Sequence, residues 1–158
     1  MKLQSAIEYL VTYGWALLII GIALAVLFAL GVFNSATLAP QECIFPGGIS
    51  CTSFYMSPNG LITLSILQAT QSPINVTSIG CSDNPSTVVF STINNPPSDQ
   101  VYMPIGGSLT FSVQCYANGI PFNGVSGSLY EGYVVFNYTD EISGFPHTAQ
   151  GQVSVDVS

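Results

Sequence analysis

The chain has 158 residues, 48% hydrophobic and only 6% charged, with a formal net charge of −7, one cationic side chain (Lys2) and one histidine (His147). A nucleic-acid partner is excluded, because it demands a basic patch that displaces counterions from phosphates. An aromatic content of 11% excludes disorder, and the want of Lys, Arg and His disfavours most phosphate-handling and acid–base enzymes.

The first predicted element is a long apolar helix. No charged side chain occurs from Tyr9 to Gln41, and the nineteen residues Trp15 to Phe33 are apolar or glycine throughout. That length spans a bilayer core. It is too long for the apolar core of a secretory signal peptide, and no small-residue cleavage site follows Phe33. With Lys2 inside, the positive-inside bias places the rest of the chain outside. No proline interrupts the run before Pro40, so residues 4–33 are expected to form one rod of about 45 Å at 1.5 Å per residue. Gly14, Gly21, Ala25 and Ala29 share one face at spacings of seven, four and four. Such a face lets apolar helices approach closely. Tyr9, Tyr13 and Trp15 suit either an interfacial belt or packing between rods.

Glu8 does not fit a plain anchor. A carboxylate at the edge of hydrocarbon is costly without a partner. Lys2-Leu3-Gln4-Ser5-Ala6-Ile7-Glu8, running straight into the apolar helix, resembles the class III signal of archaeal type IV pilins and related filament subunits, departing from it at Leu3 and Ala6. The resemblance implies a short leader, residues 1–3, removed by a membrane peptidase between Leu3 and Gln4, with Glu8 at the fifth place of the mature chain. The new amine at Gln4, reinforced by the positive end of the helix, would be neutralised by Glu8 of a neighbouring copy. It implies, as partners, copies of the chain in a helical filament, the prepilin peptidase with its membrane assembly machinery, and the membrane before assembly.

After a linker, residues 34–42, in which Pro40 stops any helical continuation, the composition turns to Ser, Thr, Asn, Gly and Pro with short apolar runs. Alternation with period two marks Leu61–Leu67, Leu109–Cys115 and Val153–Ser158 as half-buried strands. Ser53–Met56, Ile74–Cys81, Thr87–Ile93, Gln100–Ile105 and Leu129–Thr139 are further strand candidates. Turn residues such as Pro58-Asn59-Gly60, Asp83-Asn84-Pro85 and Asn95-Pro96-Pro97 divide them. The expected layout is α+β: a long N-terminal helix, then, over residues 43–158, an all-β head read as an antiparallel immunoglobulin-like sandwich, with a small barrel as the alternative. The family resemblance implies such a sandwich independently.

Four cysteines, Cys43, Cys51, Cys81 and Cys115, fall in the part expected to be extracellular, where an even number points to disulfides. Three pairings are possible. Cys43–Cys51 with Cys81–Cys115 is favoured, worth about 2.6 and 3.8 kcal/mol on the loop-entropy model, while Cys43–Cys81 with Cys51–Cys115 stays open. Two N-glycosylation sequons stand out, Asn75-Val76-Thr77 and Asn137-Tyr138-Thr139, whereas Pro85 disqualifies the one at Asn84.

No catalytic, cofactor or metal site is expected. His147 is read as a residue of the turn Gly144-Phe145-Pro146-His147. Asp140 and Glu141 are adjacent strand-end residues that point apart, and no Cys-x-x-Cys occurs for zinc. A surface of neutral polar groups has little charge to lose in acid, which predicts an acid-tolerant head. The function the resemblance implies is that of a structural pilin, held in the membrane as a precursor and then polymerised at the cell surface for adhesion. The alternatives are a single-pass anchored receptor or envelope protein, and a minor pilin-like subunit of a filament or secretion system.

Overall fold

The structure is a computed structural model that describes residues 2–32, 40–92 and 101–158. The chain divides into two units, with the boundary between Ala39 and Pro40.

The first unit is helix α1, Lys2–Ala29, about 42 Å long at 1.5 Å per residue. It stops earlier than its apolar composition suggests. Gly31 takes a positive φ of 69°, its N–H bonds to the Phe28 carbonyl at 3.1 Å, and the Val32 N–H reaches the Leu27 carbonyl at 3.2 Å. This pair of bonds is a Schellman cap, and glycine suits its left-handed position because it has no Cβ to clash. The expected helix end at Phe33 is thus corrected to Ala29. Met1, Phe33 and most of the expected linker, up to Ala39, lie outside the described residues.

The second unit is the all-β head. One leaf is antiparallel and consists of β2 (Ile49–Met56), β3 (Leu61–Gln68) and β7 (Ser108–Ala117). The other runs through β1 (Glu42–Ile44), β10 (Pro146–Asp156), β9 (Leu129–Asp140) and β4 (Ile74–Ser82), also antiparallel. Short strands β5 (Phe90–Thr92) and β6 (Val101–Met103) edge β4, and β8 (Ile120–Pro121) folds back on β7.

The two leaves are continuous. β7 leaves the first leaf and pairs in parallel with β4 at Cys81↔Cys115 and Ser82↔Tyr116. At the other margin Met56 bridges Val157 in parallel, and the Ser158 N–H donates to the Met56 carbonyl at 2.9 Å. The head is a mixed sheet folded toward a flattened barrel, so the expectation of a purely antiparallel head is corrected at these two seams. The strands that meet there come from different hairpins and happen to run the same way.

Alternation places the core as read from the sequence. In β3, Ile62, Leu64, Ile66 and Gln68 are buried while Leu61, Thr63, Ser65 and Leu67 are not, and Val76, Val134, Phe136, Val153 and Val155 close over them from the other leaf. Ordered strands beyond those expected are β1, β8 and the first half of β10. Glu42 and Gln41, assigned to the linker, belong to the head: Glu42 pairs with Ser154, and the Gln41 amide donates to Asp156 at 3.0 Å. The expected strand Thr87–Ile93 is instead a 3₁₀ turn, Pro85–Thr87, followed by β5. Gly80 permits this, since a Cβ there would come within 2.3 Å of Val88 and 2.6 Å of the Val89 carbonyl. Ile93, Gln100 and the Asn95-Pro96-Pro97 turn lie outside the described residues.

Disulfides join Cys43 to Cys51 and Cys81 to Cys115, sequence separations of 8 and 34. The second sits on the seam between β4 and β7, with a Cα–Cα distance of 4.4 Å. Cys81→Ala with Cys115→Ala is expected to lower the unfolding free energy of the head by about 3–4 kcal/mol through the longer closed loop, against about 2–3 for Cys43→Ala with Cys51→Ala. Urea unfolding of the full chain in detergent, followed by near-ultraviolet circular dichroism, measures both.

Candidate functional site

Two surfaces stand out, one in each unit. On α1, Ile7–Ala29 is a 23-residue span whose most apolar 18 residues have a mean hydropathy of 2.4. Every described side chain from Ile7 to Leu30 is exposed. Glu8 is exposed at its start, and the Thr12 hydroxyl donates to the Glu8 backbone carbonyl at 2.8 Å, one turn back. The rings of Tyr9 and Tyr13 lie 4.3 Å apart, which gives this end of the helix an aromatic flank.

Gly14, Gly21, Ala25 and Ala29 fall within about 80° of arc at 100° per residue. A Cβ on Gly14 or Gly21 would meet nothing within 4 Å. Around Gly14, Val11, Trp15 and Leu18 form an open notch. These four positions follow the i, i+3, i+4, i+7 pattern of a hole that receives a side chain from a facing helix. Leu3 and Gln4, where the resemblance puts the cleavage, lie in the helical backbone of α1.

In the head, the sequence-derived candidates scatter. Asn75 on β4 and Asn137 on β9 come close together, but Cys43, Cys51, Cys81 and Cys115 are engaged in disulfides. His147 is corrected from a turn to a strand: it lies on β10 opposite Tyr138, the rings stacked at 5.4 Å with planes 26° apart. Pro146 opens that strand, a place where its missing N–H does no harm. Among the described residues, no group of three or more His, Cys, Asp or Glu side chains converges as a metal site.

Asp140 ends β9 and organises the turn into β10. Its carboxylate accepts hydrogen bonds from the Ser72 hydroxyl, from the Ile142 N–H at 2.9 Å and from the Ser143 N–H at 2.8 Å. The Ser72 hydroxyl above all, and then the backbone N–H of Ser143, hold the Asp140 carboxyl down at about 2 from the usual 3.8. Glu141 turns the other way and accepts from the Asn75 amide. Asp140 therefore clamps the turn, and the two carboxylates bond to different partners. Tyr130 is the buried counterpart: its hydroxyl donates to the Tyr116 carbonyl at 3.1 Å beside the Cys81 sulfur. Burial, with Asp83 nearby, pushes its phenol well above the ordinary range.

Sequence reasoning did not find this clamp. An Asp at a strand end followed by Ser and Gly is a readable turn signal, but its partner Ser72 is 68 residues away. In comparisons with known proteins, no family model matches the chain and no curated protein is similar to it in sequence.

Because the folded Asp140 group ionises below its unfolded value, the clamp's contribution is complete above about pH 4 and is lost as pH falls toward 2. Asp140→Asn is expected to lower the thermal midpoint at pH 7 and to flatten its fall between pH 4 and pH 2. A wild-type midpoint that does not move across that window would refute the clamp.

Proposed function

We propose that the chain is a structural subunit of an archaeal type IV pilus-like extracellular filament. The precursor sits in the membrane through α1, loses residues 1–3 to a membrane peptidase, and assembles with copies of itself, heads outward, for adhesion or surface contact. The observation that carries this reading is the uncovered helix with one carboxylate at its start. The span from Ile7 to Ala29 needs an apolar surrounding, while Glu8 needs a cation that the span does not hold. Packing among copies supplies both: apolar neighbours for the span and the Gln4 amine for Glu8. The notch around Gly14 suits close helix contact. For the head, the immunoglobulin-like reading draws its support from two leaves packed face to face over one core.

A second reading, a permanently tethered single copy, is favoured by the span's length, which matches a bilayer core. In that case Lys2 stays inside and Glu8 lies at the interface. The N-terminus of the native protein separates the two. A chain that begins at Gln4 and sediments as filaments is expected, and one that begins at Met1 and purifies as single copies in detergent rules the filament out.

Glu8→Ala is expected to leave the melting of the head unchanged. It should weaken subunit association by roughly a hundredfold or more, because stranding one member of a buried charge pair costs about 3–5 kcal/mol. Quantifying filaments sheared from cells that express the variant checks this, and a normal yield would remove the role given to Glu8.

A further inference from the structure

We propose that Asn75, and not Asn137, is the site of an N-linked glycan, and that the first sugar rests against the ring of Tyr102. The inference depends on the head lying outside the membrane, and not on polymerisation.

The two sequons lie side by side on neighbouring antiparallel strands. Asn75 is directly opposite Thr139, and the Thr77 hydroxyl donates to the Asn137 carbonyl at 3.1 Å. The asparagines differ in what holds them. Asn137 sits in the middle of a row across three strands: its amide nitrogen donates to the Ser78 hydroxyl at 3.0 Å, and its carbonyl accepts from the Thr148 hydroxyl at 2.7 Å. A sugar on that nitrogen would have to displace the Ser78 bond.

Asn75 stands near the start of β4, with its side chain on the solvent side while Ile74 and Val76 are buried. Its amide makes one side-chain bond, to the exposed Glu141, and water takes over that carboxylate at little cost. Its cross-strand partner on β6 is Tyr102, whose side chain is 57% exposed. Directly opposed Cβ atoms lie about 5 Å apart on the same face. That places an uncovered aromatic face where the C–H face of the first sugar ring falls, and the negative face of the ring attracts such polarised hydrogens. Asn137 lies two residues along β9 from Thr139, the residue opposite Asn75, so two glycans would crowd each other there.

The donor class is a lipid-phosphate-linked sugar. The Asn75 Nδ2 forms a bond to the anomeric carbon, the bond from that carbon to the phosphate oxygen breaks, and the amide proton leaves with the phosphate. No oxidant or reductant is required.

Peptide mapping by mass spectrometry of the native protein from its source cells tests the assignment, alongside external protease treatment of intact cells. The expected result is a sugar mass on the peptide with Asn75 and none on Asn137. The glycan should be lost in Asn75→Gln and in Thr77→Ala, and retained in Thr77→Ser and Asn137→Gln. A glycan on Asn137, or an unmodified Asn75, overturns the proposal. If the unmodified head is digested from outside, only the glycan is refuted, whereas a protected head refutes the outward location as well. For the sugar contact, Tyr102→Ser should lower the melting midpoint of the glycosylated protein more than that of Asn75→Gln. Equal shifts overturn the contact.

Discussion

Beyond Lys2 the sequence holds no lysine or arginine, so no polar group of the head can be satisfied by a permanent cation. Carboxylates and amides must instead find neutral donors and acceptors, and the structure shows how. Asp140 is held by a hydroxyl and two backbone N–H groups, Asp83 by the Asn118 N–H at 2.8 Å, and Asn137 by two hydroxyls. Stability rests on a buried apolar core and two covalent staples rather than on charge. A head built this way meets acid with few ion pairs to break, and the turn at Asp140 is an acid-sensitive element of it.

The helix carries the opposite imbalance. It carries ample apolar surface, exposed at every described side chain from Ile7 onward, with one carboxylate that lacks a cation along the span. A soluble helix hides one stripe, whereas α1 exposes all its described side chains from Ile7 onward. The head is closed within itself at both margins, through β4 with β7 and through Met56 with Val157. The two units therefore pose separate physical problems, and the functional reading follows from the one that the chain leaves unsolved.

Much of the head was legible because its strands advertise themselves. In β3 every second residue is a large aliphatic, and β9 carries Tyr130, Val134 and Phe136 on its inner face. β10 was only half visible, for a physical reason. Its inner positions near the middle are Ala149 and Gly151, and a Cβ at Gly151 would come within 2.5 Å of the Phe45 ring. The core volume there is filled from another segment, so the strand shows no alternation. β1 and β8, at three and two residues, are too short to carry a period. Gly31 went unread as a stop because, inside an apolar run, glycine looks like one more membrane residue. The disulfide partners were favoured from a short loop over Pro46-Gly47-Gly48 and from two predicted strands, while the neighbourhood of Asn75, Tyr102 and Glu141 depends on three strands that meet only in the folded head.

The bond between Cys43 and Cys51 has a mechanical meaning. Tension reaching the head along the chain before Pro40 arrives first at β1, a three-residue edge strand held to β10 by backbone hydrogen bonds. Such a strand peels one bond at a time under load. The covalent link at its second residue hands the force to β2, an eight-residue strand paired with β3 at seven positions. Peeling therefore stalls at Cys43, and the edge nearest the pull becomes an anchorage instead of the first place to tear.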